Sequence, residues 1–233
     1  SADNAILAYN EHLFSKLPFS PQNDFTYVGG ISRFPLALVV HPSFEAKTMK
    51  EFLAYVRANP GKVNYASPGN GSPHHLAMEM FKNRTKTFLT HIPYRGAAPA
   101  MADVMGGQVP CMFLDLASGL SVIQSGKVRA LAIGSAKRIA TLPDVPTLGE
   151  VGVADTEVFA FQGILGPKGL PANVTQRLNA DLNKALASPA VVKRMQDFGM
   201  EALPGTPEQF RALARAEAKR WGEVIKAAGV KLD

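Results

Sequence analysis

From Phe25 to Ser135 short β-rich apolar runs alternate with stretches of helical periodicity, and that alternation limits the chain to few folds. "FTYVGGISRFPLALVVHP" reads as two strands, Phe25 to Ile31 and Leu36 to Val40, with a turn between them. The second is a continuous apolar run between Pro35 and Pro42, the pattern of a strand buried on both faces. "TMKEFLAYVRANPGK" follows as a helix: Thr48 and Glu51 have capping-box spacing, Phe52, Leu53 and Val56 form the stripe, and Pro60–Gly61 stops it. A short strand from Lys62 to Ala66, a helix from about His74 to Lys82, then "TFLTHIPY", "GAAPAMADVMGG", "VPCMFLD", "LASGLSVIQSGK" and "VRALAIGS" continue the alternation. Units of this length predict an α/β fold with a parallel sheet and right-handed crossovers. "VFAFQGILGP" is one more strand, and from Leu170 onward the texture is helical, with Pro171, Pro189 and Pro207 near helix starts and Gly199 and Gly229 past helix ends.

The 233 residues suffice for one large domain or two lobes. No apolar run approaches a membrane span, no signal-peptide pattern is present, and the chain reads as soluble. The net charge of +6 suits an anionic partner, but the Lys and Arg residues are scattered without interleaved aromatics, which argues against nucleic acid. Cys111 is the only cysteine, so no internal disulfide and no cysteine-pair metal site exists.

The stretch that invites chemistry is "NYASPGNGSPHHLAMEMF", Asn64 to Phe81. Ser67 and Ser72 flank glycines, but no G-x-S-x-G elbow occurs anywhere, and a serine in such a turn is ordinarily a turn or cap residue. His75 and Glu79 share a helix face and His91 is near in sequence, yet H-E-x-x-H is absent and no third spaced metal ligand is evident. Gly69 and Gly71 complete neither phosphate-binding glycine pattern. Two readings remain. One is a cradle in which the first-turn N–H groups and the helix dipole receive a carboxylate, with small side chains letting it approach the backbone. The other is an ordinary βα turn capped by Ser72, the simpler account of these residues alone.

Three other places carry the same ambiguity. Tyr94-Arg95-Gly96 ends a strand and opens a helix, so Gly96 and Ala97–Ala98 offer donors, and Arg95 either pairs with a ligand carboxylate or is a solvated surface charge. Asp115 lies at the C-terminal edge of a strand, where ligands collect in open α/β folds, and is equally placed to cap the next helix. Phe161 either walls a ligand site or packs in the core, Gly163 marks close packing or a hinge, and Trp221 reads as packing.

"NYASPGNGSPHHLAMEMFK", the long run from "HIPYRGAAPAMADVMGG" through "LPDVPTLGEVGV", "GILGPKGLPANVTQRLNADLNKAL" and "GTPEQFRALARAEAKRWGEVIKAAGV" resemble the Bug-type receptors of tripartite tricarboxylate transporters, over essentially the whole chain. The resemblance implies a periplasmic receptor with the type II periplasmic-binding-protein fold: two α/β lobes and a ligand cleft between them, residues 1–40 with 159–233 forming lobe 1 and 41–158 lobe 2. It implies lobe closure about strands near Val39–Pro42 and Val158–Gln162. The implied partners are a small organic acid (dicarboxylate, tricarboxylate, acidic amino acid or aromatic acid) and the transporter's membrane permease subunits. It further implies a monomer, no enzymatic activity, no cofactor and no metal. The family's S-x-G-x-G-S loop matches Ser67 to Ser72. The ligand-binding set expected on this basis is Ser67, Gly69, Asn70, Gly71, Ser72, His75, Tyr94, Arg95, Gly96, Asp115 and Phe161. The family's usual opening strand, turn and helix have no counterpart here, so the N-terminal part of lobe 1 is expected to be absent from this chain and a signal peptide to lie upstream. The competing readings are the effector-sensing domain of a regulator and a small-molecule hydrolase using His74, His75 or Asp115.

Overall fold

The expected turn between Ile31 and Leu36 does not form. In the computed structural model, which describes residues 1–233, a single strand, β2, runs from Phe25 to Val40. Pro35 sits inside it, between Ser32–Arg33, which pair with β8 (Glu201–Ala202), and Leu36–Val40, which pair with β5 (Cys111–Asp115). A proline is tolerated there because it falls where one set of partners ends and the other begins. Contacts divide the chain into two compact units, Pro35–Phe159 on the one hand and Ser1–Phe34 with Ala160–Asp233 on the other.

In the 35–159 unit, the C-terminal half of β2 is flanked on one side by β5 and on the other by β6 (Arg129–Ile133), antiparallel to both. Next to β5 lies β3 (Asn64–Ser67), parallel to it, and then β4 (Thr90–Pro93), parallel to β3. The sheet is therefore mixed, which corrects the all-parallel expectation: β2 alone runs against the other four. Helices α2 (Met49–Ala58), α3 (Pro73–Thr85), α4 (Ala97–Met105) and α5 (Leu116–Gln124) connect the strands. The Thr48–Glu51 capping box forms: Thr48 Oγ1 accepts from Glu51 N and Glu51 Oε2 accepts from Thr48 N. Both faces of the central strands are covered, and Leu36 to Val40 and Cys111 to Leu114 are fully buried, as a doubly covered sheet requires.

In the other unit, β1 (Ala2–Asp3) pairs antiparallel with β7 (Phe159–Pro167), β7 is hydrogen-bonded to β2, and β8 pairs with β2. Around them lie a π-helical turn (Ala5–Tyr9) running into α1 (Asn10–Leu13), then α6 (Ala172–Leu186), α7 (Pro189–Asp197) and α8 (Pro207–Ala228). Trp221 of α8 is fully buried with its ring edge-on to Tyr9 at 5.5 Å. Gly163 marks close packing: a Cβ there would lie 2.1 Å from Phe210 Cζ and 2.6 Å from the Gly29 carbonyl. No helix is long and apolar enough to cross a membrane.

Candidate ligand site

Parallel strands bring their C-terminal ends to one sheet edge. The register pairs Ser67 of β3 with Pro93 of β4, and Asp115 ends β5 at that same edge. The turns into α3, α4 and α5 are thus neighbours, and ten of the eleven expected ligand residues lie on them. The turns into α3 and α4 are bonded to each other: Tyr94 N donates to the Ser67 carbonyl and Gly96 N to the Pro68 carbonyl, both at 2.9 Å.

The turn into α3 spends most of its polar groups on itself. Ser67 is fully buried; its hydroxyl accepts from Gly69 N at 3.1 Å and stands 2.6 Å from His91 Nε2. Ser72 Oγ caps α3 by accepting from His75 N and donates to the Gly69 carbonyl at 2.7 Å. Gly71 N donates to His75 Nδ1 at 3.1 Å and Ser72 N to the Gly69 carbonyl at 3.2 Å. Gly71 has φ +73°, a backbone open to glycine at little cost. The N–H groups of Gly69, Gly71, Ser72 and His75 are therefore occupied from within the turn, and Asn70 is its exposed tip. The cause is the imidazole nitrogen and the hydroxyls that the local fold brings within bonding distance.

The turn into α4 is built the opposite way. Gly96, at φ +115°, is the N-cap residue, and no side chain caps the helix. The N–H groups of Ala97 and Ala98 belong to the first turn, whose donors a helix cannot satisfy by itself. A Cβ added to Gly96 would meet nothing within 4 Å. Arg95 is exposed beside this end. Tyr94 turns inward instead, donating its hydroxyl to Asp103 Oδ2 at 2.6 Å; burial and that bond push the phenol up to about 12.

At the third turn Asp115 is buried and caps α5, its Oδ1 accepting from Ser118 N and its Oδ2 from Ser118 Oγ, both at 2.8 Å. His74 Nε2 lies 3.2 Å from Oδ2. Burial pushes this carboxyl up, but His74 and Ser118 outweigh it and hold it below the usual carboxylate range. Its oxygens are committed to protein partners, so the cap role describes what it does here.

Phe161 lies in the other unit. Its ring is 1% exposed and edge-on to Phe210 at 6.4 Å, and its N–H donates to Asn4 Oδ1. Phe161 is thus a core residue in this structure, because β7 turns its side chain onto α8. No three His, Cys, Asp or Glu side chains converge as a metal site.

The sequence singles out His75, Glu79 and His91 but not Tyr65, nor the stack that joins the rings. Tyr65, His91 and His75 form a continuous ring stack, with centroids 4.8 Å apart for the first pair and 4.0 Å for the second, and planes within 16° and 7° of parallel. Glu79 Oε1 accepts from Tyr65 Oη at 2.6 Å and Lys82 Nζ at 2.7 Å, and lies 3.7 Å from His75 Nε2. The signal available was alternation: Tyr65 and Ser67 lie two apart on β3, and His91 on β4 pairs opposite Tyr65.

Residues 2–230 match the model of the tripartite tricarboxylate transporter family receptor. A protein of Pseudomonas sp. (strain P51), the UPF0065 protein in the tcbD-tcbE intergenic region, is 36% identical over 220 residues, covering 94% of this chain and 66% of its own length. Among solved structures, R. palustris Rpa4515 with adipate is 30% identical with a TM-score of 0.91, covering 99% of this chain and 77% of its own. MatC from Rhodopseudomonas palustris with bound malate is also 30% identical, with a TM-score of 0.83, covering 96% of this chain and 77% of its own.

Proposed function

Because the chain belongs to the tripartite tricarboxylate transporter receptor family, we propose that it is an extracytoplasmic, periplasmic solute receptor that binds a small organic acid and presents it to the membrane permease subunits of such a transporter. The ligand class is the dicarboxylates. Adipate and malate, held by two 30%-identical relatives, both carry two carboxylates on a short aliphatic chain.

One observation supports the binding role most directly: the uncapped first turn of α4 opens beside the exposed Arg95. Unspent N–H donors at a helix N-terminus, the positive end of the helix dipole and a guanidinium together favour a carboxylate. The neighbouring turn contributes its exposed Asn70 and, through the Gly96–Pro68 bond, holds this opening in place. Binding without chemistry suits the residues at this edge. Ser67 is buried away from any substrate, and Asp115 is spent on Ser118 and His74.

Calorimetry and thermal shift against malate, adipate, a tricarboxylate, glutamate and benzoate test this reading. A dicarboxylate is expected to bind and to be recovered unchanged, and at a hundredfold excess over its dissociation constant it stabilises the protein by about 2.7 kcal/mol. No stabilisation by any acid in the panel, or conversion of one to product, overturns it.

A further inference from the structure

The ring stack under the turn into α3 touches that turn at both ends. His91 Nε2 meets Ser67 Oγ at 2.6 Å, where the turn begins, and His75 Nδ1 accepts from Gly71 N at 3.1 Å, where it ends. Tyr65 closes the far side of the stack against His91. We propose that His75 and His91 are positioning residues for the ligand site, that they hold the Ser67–Ser72 turn in its closed form only while both rings are neutral, and that acid releases the turn and weakens ligand binding. The binding half of this inference rests on the receptor reading above; the turn half does not.

Two geometric facts carry it. An imidazole nitrogen that accepts an N–H bond has no proton of its own. Protonating His75 at Nδ1 therefore turns the Gly71 contact into two donors facing each other. The second fact is the stack: two imidazoles at 4.0 Å with planes 7° apart cannot both be charged without strong repulsion. The surroundings do little to relieve a charge. Tyr65 of β3 is held neutral by burial, with its hydroxyl on Glu79. Cys111 of β5, paired opposite Tyr65, is likewise neutral because burial pushes its thiol up. On α3, Glu79 would welcome a cation but already receives Tyr65 Oη and Lys82 Nζ, and Lys82 opposes one.

Burial, then the neighbouring His75, depress His91 to about 4, and burial also lowers His75. The sign follows: an unfolded histidine takes its proton near pH 6.5, the folded pair resists, and stability is present above that value and lost between about pH 6.5 and 4.

Amide exchange in the ligand-free protein, corrected for intrinsic rates, tests the turn by itself from about pH 7.5 to 4.5. Protection at Gly71 is expected to fall toward the acid end, by up to about tenfold per pH unit for one linked proton, and to fall less in His75→Gln, whose amide oxygen accepts the same N–H without titrating while His91 still titrates. His91→Gln checks the other end of the stack, and the histidine ring resonances of the unaltered protein show whether both rings stay neutral at pH 7. Malate affinity is then compared at the two pH values. The unaltered protein is expected to lose more affinity than His75→Gln, a difference that cancels the titration of malate itself. Equal pH dependence of Gly71 protection in the unaltered protein and both variants overturns the proposal, as does a ring that is charged at pH 7. Failure to bind malate or any other acid at pH 7.5 instead counts against the receptor reading and leaves the exchange result to decide the turn.

Discussion

The turns into α3 and α4 are adjacent on one sheet edge, are bonded to each other, and use their polar groups in opposite ways. The first is closed. Ser72 caps its helix, Gly71 is bound by a ring nitrogen and Ser67 is buried against another. The second is open, with a glycine at the N-cap position, no capping side chain and an exposed arginine before it. A glycine-rich loop before a helix is thus not automatically an anion site. What matters is whether a neighbouring side chain has already taken the donors. In this molecule the glycine-rich turn is bonded to itself and the plainer one is left uncapped.

The comparison breaks most completely at Gly71. A branched side chain on a buried residue at φ +73° costs about 1–3 kcal/mol of backbone strain, and the displaced turn no longer meets Gly96 through Pro68. Gly71→Val is expected to lower the melting temperature and to abolish calorimetric heats with the dicarboxylate. Retained affinity would mean that the closed turn does not support the open one.

Asp115→Asn probes the third turn. It replaces a buried carboxylate that accepts from Ser118 twice and faces His74, and it is expected to cost roughly 1–3 kcal/mol in chemical denaturation. The carboxyl is held below its ordinary range, so its contribution is present above about pH 4 and lost as the pH falls through its folded value. Urea midpoints measured across acid pH should fall less steeply for the variant than for the unaltered protein.

Ser72→Ala sharpens the contrast. It removes the cap of the closed turn and is expected to cost about 1 kcal/mol of stability. Because the hydroxyl is spent within the turn, affinity for the acid should change much less than stability does. A large loss of affinity with unchanged stability would make Ser72 a direct ligand contact.

The smallest expected effect is at Arg95. An exposed guanidinium contributes about 0.2–1 kcal/mol to an ion pair, so Arg95→Ala should weaken binding up to about fivefold at low salt, and Arg95→Lys should be close to neutral. Titrations at two salt concentrations check this. If lysine fails as badly as alanine, a bidentate clamp outweighs the backbone donors of α4.

Much of this was legible in the chain. The alternation of strand and helix, the Thr48–Glu51 box, the Ser72 cap and the family motifs are local patterns, and local patterns depend on spacing within a few residues. Two features were not legible. The single strand through Pro35 and its antiparallel run between β5 and β6 depend on partners far along the chain, so the stretch from Ser32 to Pro35 reads locally as a turn. Phe161 carried no local sign of whether its ring would face a ligand or Phe210.

Residue type and spacing are enough to make this chain an α/β protein of the tricarboxylate-receptor family, to start its helices after Ser72, Gly96 and Asp115, and to put glycines where the turns need positive φ. Chain folding set which distant side chains meet at the sheet edge. His91 lies 24 residues from Ser67 in sequence and 2.6 Å from it in space, and His74 lies 41 residues from Asp115. A hydrogen bond needs its two groups within about 3 Å, and for side chains this far apart in the chain that distance is set by strand pairing and helix packing rather than by residue type.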